Sequence, residues 1–472
     1  MATAFWKQGV VAAAVTAAVL SGSSALAQNN RNNRNNNNGG GRNAPPDPNA
    51  PLVDRLLPKG KTKQWVMIVD ITYPGVGINN PPLNRQGEVR PDLSLRSRLN
   101  VPADWKQVCE MADQGVKFDT AAIVFPVPAA TAGHMTQTGT FEYELTLGGV
   151  TRAIDPPKFT DGYQAGERLA RWDIRDVSAK KLNMHIEIPV TCWELGFNEE
   201  EAANVEWPKS DWPMEAKTAL EPVYLVEYAE DEHEIADSQH ALDELLKRWL
   251  GNRDPKQMKP IALAKELAGH VQELLDPGAG DTVVYNAPGN FAGLDMQTVT
   301  EALGAKRVYS LTPPNLLAAL YRRAGLPART VWGYDIADKK DPKKMGTTRG
   351  SAQITAWTEF AVMDPKTNAT VWVPVDIVEM RKNGNRMQRL DKPWKYFGSN
   401  DNLVYMIPIS FHAHPPTGVT VRSYPAFWGW LCTPETPTLP HTLKIQAMSQ
   451  DSREKEKNDE AEKKKKQPQK KP

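Results

Sequence analysis

Short apolar runs dominate the chain from about Gln64 to Trp193. WVMIVDITY (65–73), TAAIVFPVP (120–128), FEYELTL (141–147) and NMHIEIPVT (183–191) are rich in β-branched and aromatic residues, with Pro and Gly between them. Such residues fit a pleated, half-buried surface, and Pro and Gly punctuate strands. Residues 62–205 are therefore expected to form a β-rich domain, with WDIRDVSAKKLNMHIEIPVTCW supplying two strands of a sandwich.

The period changes after WPKSDWP (207–213). In SQHALDELLKRWLG the apolar positions Leu242, Leu245, Leu246, Trp249 and Leu250 recur at helical spacing and Gly251 stops the run. IALAKELAGHVQELLDPG repeats this with Leu263, Leu267, Val271 and Leu274. A short helix is expected through MQTVTEALG. In TPPNLLAALYRRAG, Thr312 is expected to cap a further helix, Pro313 fits its first position, and Gly325 ends it. Three strand patterns follow: ARTVWGYDI, AQITAWTEFAVM and ATVWVPVDIV, with a polar loop at 338–350 and a turn at DPKTN. Residues 214–385 thus read as an α+β unit, helices first and an antiparallel sheet second. Residues 386–447, with NLVYMIPISFHAH, are expected to add strands to that same sheet.

The two ends lack this patterning. Lys7, the apolar run Val10–Leu20 and Ala25-Leu26-Ala27 have the form of a secretory signal, which predicts cleavage near Ala27 and an exported, periplasmic or extracellular protein. Residues 28–61 open with an Asn-, Gly- and Pro-rich stretch and are expected to be a disordered spacer. Residues 448–472 are highly charged, with Lys463–Lys466, Lys470 and Lys471, and are expected to be a disordered tail that could adhere to anionic envelope material. No later run reaches the roughly 18 apolar residues of a membrane span. A net charge of +1 argues against nucleic acid as a partner. Cys109, Cys192 and Cys432 allow one disulfide in an exported chain, and no Cys/His cluster suggests zinc.

NLLAALYRRAGLPARTVWGY, then ITAWTEF, then WVPVDIVEMRK occur in one order. In that order they resemble the transglutaminase-like superfamily, which includes thiol transferases and cysteine proteases. The motif-bearing part covers about 310–382. The resemblance implies a papain-like core of helices packed on an antiparallel sheet. It also implies a Cys–His–Asp site, with the cysteine at a helix N-terminus where backbone dipoles favour a thiolate. A histidine on a neighbouring strand would take its proton and an aspartate would orient the imidazole.

Matched position by position, the cysteine site falls on Ser310 and the histidine site on Thr355; only Asp376 agrees. Trp357 and Glu359, which follow the missing histidine, are retained and are expected to line the cleft. A serine hydroxyl needs an adjacent base, and Thr355 is none. The expectation is therefore a non-catalytic member that binds an unidentified protein or cell-envelope polymer through its vestigial cleft. The alternative is an amide hydrolase or acyl transferase of protease or transglutaminase type with Ser310 as an altered nucleophile. No cofactor is expected. His412 and His414 would share one strand face and could touch a metal, but two ligands are too few alone. His270 falls on an apolar helix stripe and reads as a core residue, Arg329 as a tether at the helix–strand corner, and Trp357 and Trp372 as aromatics between sheet and helix. Gly278-Ala-Gly280 lacks the strand-to-helix context of a phosphate loop.

Overall fold

The computed structural model describes residues 50–73, 116–136, 140–161, 167–223, 227, 232–287, 290–305, 307–336, 353–412, 428–434 and 442–466. The expected signal segment, most of the spacer, the 338–350 loop, Cys109, His414 and the last lysines lie outside these residues. In chain order, helix α1 (Leu52–Leu56) leads into strands β1 (Lys59–Tyr73), β2 (Val116–Val127), β3 (His134–Thr136), β4 (Glu142–Leu147), β5 (Val150–Arg152), β6 (Lys158–Asp161), β7 (Arg168–Ala179) and β8 (Leu182–Leu195). Helices α2 (Glu199–Asn204), α3 (Met214–Thr218), α4 (Glu232–Leu250) and α5 (Pro260–Leu274) follow, then a hairpin of β9 (Val283–Ala287) and β10 (Asn290–Leu294). Next come α6 (Val299–Gly304), α7 (Thr312–Arg323), β11 (Ala328–Asp335), β12 (Gln353–Met363), β13 (Thr370–Val375) and α8 (Ile377–Asn383). The last elements are β14 (Met406–Phe411), β15 (Gly429–Thr433), β16 (Thr442–Ser449) and α9 (Gln450–Lys466).

Two sheets form the β-rich part, in the orders β16-β1-β8-β4-β5 and β15-β2-β7-β6, with β3 also on β8. Alternate residues of β1 (Trp65, Met67, Val69, Ile71) enter one core with Ile123, Phe125, Trp172 and Ile174 of the other sheet. Burial of that apolar area is what holds two such sheets together. The α+β part has the sheet β13-β12-β11-β14, all antiparallel. Its second core joins helix residues Leu242, Leu267, Leu317 and Tyr321 to Phe360, Val373 and Val375 of the sheet. Gly325 stands at φ +83° just past α7, the left-handed stop expected of it. Among the described residues no helix is long and apolar enough to cross a membrane.

The structure departs from the sequence expectations in four places. Leu52 and Leu56, inside the expected spacer, are buried in the helical core, and the Leu52 amide donates to the Asp364 carboxylate at 2.9 Å. Of the expected C-terminal extension only β14 joins the α+β sheet; β15 pairs with β2 and β16 with β1, so the chain returns to complete the sandwich. ATVWVPVDIV does not stay extended: β13 stops at Val375 and Ile377 begins α8. The tail is helical from Gln450 to Lys466.

That last helix has no apolar face, and charge docks it. Arg453 Nε lies 3.1 Å from Glu187 Oε1, and Lys457 Nζ lies 2.6 Å from Glu142 and 2.9 Å from Glu187. His185 sits between Asp70, 2.7 Å from its Nδ1, and Glu187, 3.1 Å from its Nε2. Burial alone would raise the Glu187 carboxyl; hydrogen bonds from His185, Arg453 and Lys457 hold it well below the carboxylate range instead. Hydrogen bonds to Asp70 and then Glu187 push the His185 imidazolium up to about 9. A group held protonated in the fold contributes stability that is complete below its unfolded pKa of about 6.5 and lost as pH rises through the folded value. His185 is one-third exposed, so screening reduces the effect to about 1–2 kcal/mol. Wild-type stability in urea is expected to fall between about pH 6.5 and 9, and His185→Gln is expected to flatten that decline.

Candidate active site

The corner between α7 and β11 organises the region. The Arg329 guanidinium donates twice to Glu359 Oε2, at 2.9 and 2.7 Å, and Trp357 Nε1 donates to Glu359 Oε1 at 3.1 Å. The guanidinium also lies over Trp372, 4.1 Å from its ring centre, and over Phe411 at 3.6 Å. Arg329, Glu359 and Trp357 are all buried. Burial lowers the Arg329 pKa and Glu359 opposes that shift, as a paired buried cation requires. Trp357 and Glu359 therefore serve as interior struts and do not line an open cleft. Trp357 also packs on the sheet face away from α7, beside His134 at 5.9 Å between ring centres, and not between sheet and helix. Gly333 is required beneath it: a Cβ there would meet the Ile407 carbonyl at 2.7 Å and the Trp357 ring at 3.1 Å.

Ser310 is half-buried, two residues before α7 begins at Thr312. Its amide donates to the Gly280 carbonyl at 3.0 Å and its hydroxyl accepts from the Thr282 amide at 3.3 Å. The Leu311 amide donates to Thr282 Oγ1 at 3.0 Å, so the 280–282 segment clamps the approach to the helix. Leu311, which caps nothing with its side chain, occupies the N-cap place foreseen for Thr312; Thr312 instead donates to Gln297 Oε1 at 2.8 Å. Pro313 and Pro314 lie inside the first turn. Among the described residues no histidine, cysteine or carboxylate is hydrogen-bonded to Ser310.

Thr355 pairs across the sheet with Gly333 and shares the face of Trp357. On the opposite, helix-facing side of the strand, the Thr358 hydroxyl donates to the Pro314 carbonyl at 2.8 Å. Asp376 follows β13 directly, and the register that sets Val375 opposite Thr358 brings it beside Trp357. Its Oδ1 accepts from the Glu379 amide at 3.0 Å, capping α8, and its Oδ2 accepts from Asn400 Nδ2 at 3.2 Å. Burial pushes this carboxyl up to about 7, against those hydrogen bonds. No hydrogen bond links Ser310, Thr355 and Asp376 to one another. Ser310 and Thr355 thus present hydroxyls and Asp376 a capping carboxyl, and among the described residues no proton acceptor is hydrogen-bonded to the serine side chain.

His134, given no weight in the sequence, is fully buried against this sheet. Its Nε2 contacts the Leu403 carbonyl at 3.0 Å, which fixes the hydrogen there, and Nδ1 faces Thr131 Oγ1 at 2.6 Å. Burial lowers its pKa to about 4, so it is a neutral strut. A lone His in a polar stretch carries no sequence signal for such a role. His412 does not extend β14: it turns to φ +64°, and its Nδ1 accepts from the Thr330 amide at 3.4 Å. The strand thus ends at Phe411, and the foreseen pairing of His412 with His414 lies outside the described residues. Among the described residues no three His, Cys, Asp or Glu side chains converge as metal ligands. His270 is half-buried and stacks on Trp249 at 4.9 Å, an interhelical contact at the edge of the core. Cys192, buried, and Cys432 are free thiols.

Comparison with known proteins places a match to the transglutaminase-like superfamily over residues 256–377. Among solved structures, a candidate cysteine protease from Cytophaga hutchinsonii is similar at 12% identity with a TM-score of 0.43, over 84% of this chain and 93% of that one. A candidate protease from Parabacteroides distasonis is similar at 11% identity with a TM-score of 0.17, over 54% of this chain and 41% of that one. No curated protein matches the chain. The fold is thus α+β, with a transglutaminase-like domain of helices on an antiparallel sheet and a β-rich region before it.

Two variants test the site's construction. Removing one partner of the buried ion pair, as in Arg329→Met, is expected to cost about 3–5 kcal/mol in urea unfolding, and Arg329→Met with Glu359→Leu less than the single change. A cost near zero for the single change would contradict the buried-pair reading. A carboxyl whose pKa rises on folding favours the fold at low pH and loses that contribution as pH climbs from about 4 through about 7. Wild-type stability is expected to decline over that window by up to about 4 kcal/mol relative to Asp376→Asn, measured by melting at each pH.

Proposed function

We propose that the chain is an exported transglutaminase-like protein that has given up thiol catalysis and binds a protein or cell-envelope polymer. The observation that carries this reading is the state of Ser310. Its hydroxyl accepts the Thr282 amide at 3.3 Å, and Thr355 occupies the position where the superfamily pattern has its base. A hydroxyl with a pKa far above neutrality attacks amides only when a neighbour removes its proton. Asp376, the one retained member, is committed to capping α8 and to Asn400. The Ser310 region, on this reading, is a recognition surface held on a rigid scaffold. The N-terminal apolar run with its Ala25-Leu26-Ala27 site supports export.

The test is an amide-hydrolysis and amine-incorporation assay on purified protein, with Ser310→Ala alongside. Equal background rates in both proteins are expected. A rate in the wild type that Ser310→Ala removes would overturn the proposal and make Ser310 a nucleophile. Loss of the first 27 residues from secreted material, read by N-terminal sequencing, is the expected result for export; retention in the cytoplasm would contradict it.

A further inference from the structure

A groove of about 660 Å³ opens between α1, the α2 end and the β12–β13 turn, away from Ser310. Its size suits a small ligand or a few linked rings. The floor is apolar, from Leu52, Val205, Met363 and one side of Trp207. Trp207 is a fixed platform: Nε1 is tied to the Met258 carbonyl and Lys256 Nζ covers one ring face, 3.8 Å from the centre. The charges around the groove largely cancel. Arg55 pairs with Glu201 at 2.5 Å, Glu206 pairs with Lys259, and among the described lining residues Lys209 is the one exposed cation. A strongly charged ligand would therefore gain little here.

In the turn that lines the groove, backbone groups are already paired. In the turn, the Asn368 amide donates to the Asp364 carbonyl, Asp364 donates to Ala369, and the Asp364 carboxylate takes the amides of Lys366 and Leu52. Recognition would come from side chains: the Asn204 amide oxygen, whose Nδ2 donates to the Glu200 carbonyl at 2.9 Å, the Asn368 amide, the Ser210 hydroxyl and the Arg55–Glu201 pair. An aromatic platform, an apolar floor and a rim of amide, hydroxyl and paired charge suit a molecule with one apolar face and a hydroxylated edge.

We propose that this groove binds a neutral oligosaccharide, one sugar ring lying on Trp207 and its hydroxyls meeting Asn204, Asn368 and the Arg55–Glu201 pair. This site goes beyond the reading of Ser310 and does not depend on it. The test is saturation-transfer NMR on the full chain with two probes, the β-1,4-linked tetramers of N-acetylglucosamine and of glucose. Transfer to at least one tetramer is expected. Trp207→Ala should weaken it at least about tenfold. Ser210→Trp, at an exposed position that leaves the core untouched, should abolish it in a protein whose melting is unchanged. Ser310→Ala should leave it intact, which separates this site from the proposed recognition surface. The proposal is overturned if neither tetramer shows transfer at millimolar concentration, if Ser210→Trp leaves transfer unchanged, or if a proline-rich peptide binds the groove instead.

Discussion

A buried guanidinium must be paired, and the α+β sheet is built around meeting that demand for Arg329. The residue comes from β11, its carboxylate partner Glu359 and the supporting Trp357 from β12, and the rings on either side from Trp372 of β13 and Phe411 of β14. One cation thereby touches all four strands of the sheet. An uncompensated charge there would cost several kcal/mol, so register, rotamers and the ring positions around it are tightly coupled. Gly333 belongs to the same arrangement, because any side chain at that place would collide with β14 and with Trp357.

On the proposed reading, this constraint accounts for a superfamily pattern that persists where Ser310 and Thr355 stand at the positions of its reactive pair. GLPAR, the Gly-Tyr strand and the Trp and Glu of ITAWTEF do mechanical work inside the sheet. Ser310 and Thr355 do not: each is half-buried, and neither sits in the ion-pair cluster. Asp376 has a local task of its own, closing the first turn of α8. Its raised pKa reflects burial of a cap and needs no catalytic explanation, although perturbed carboxylates also mark active sites. Scaffold and chemistry are thus carried by different residues, and the second set can change at little cost to the first.

Sequence patterning made local features legible and long-range ones much less so. The helical stripes of α4, α5 and α7, the Gly325 stop and the strand runs all follow from period and propensity, which act over a few residues. The family motifs located Ser310, Thr355 and Asp376 but not their partners, since hydrogen bonds to Thr282 and Asn400 join segments 24 to 28 residues apart. The return of β15 and β16 to the sandwich was hidden for the same reason: pairing partners of β1 and β2 lie hundreds of residues away, and alternation does not name a partner. The final helix has only charged faces, which reads as a solvated tail until Glu187 and Glu142 are seen opposite Arg453 and Lys457. α1 is too short for a periodic signal, yet two leucines and the Asp364 carboxylate fix it.

Whether the Ser310 hydroxyl has any nucleophilic character is open to direct measurement. Purified protein incubated with a fluorophosphonate, then analysed by intact mass and peptide mapping, reports that property without knowledge of a substrate. A clamped hydroxyl without a base should remain unmodified. An adduct on Ser310 would show that a proton acceptor reaches it and would contradict the proposed loss of thiol-type catalysis.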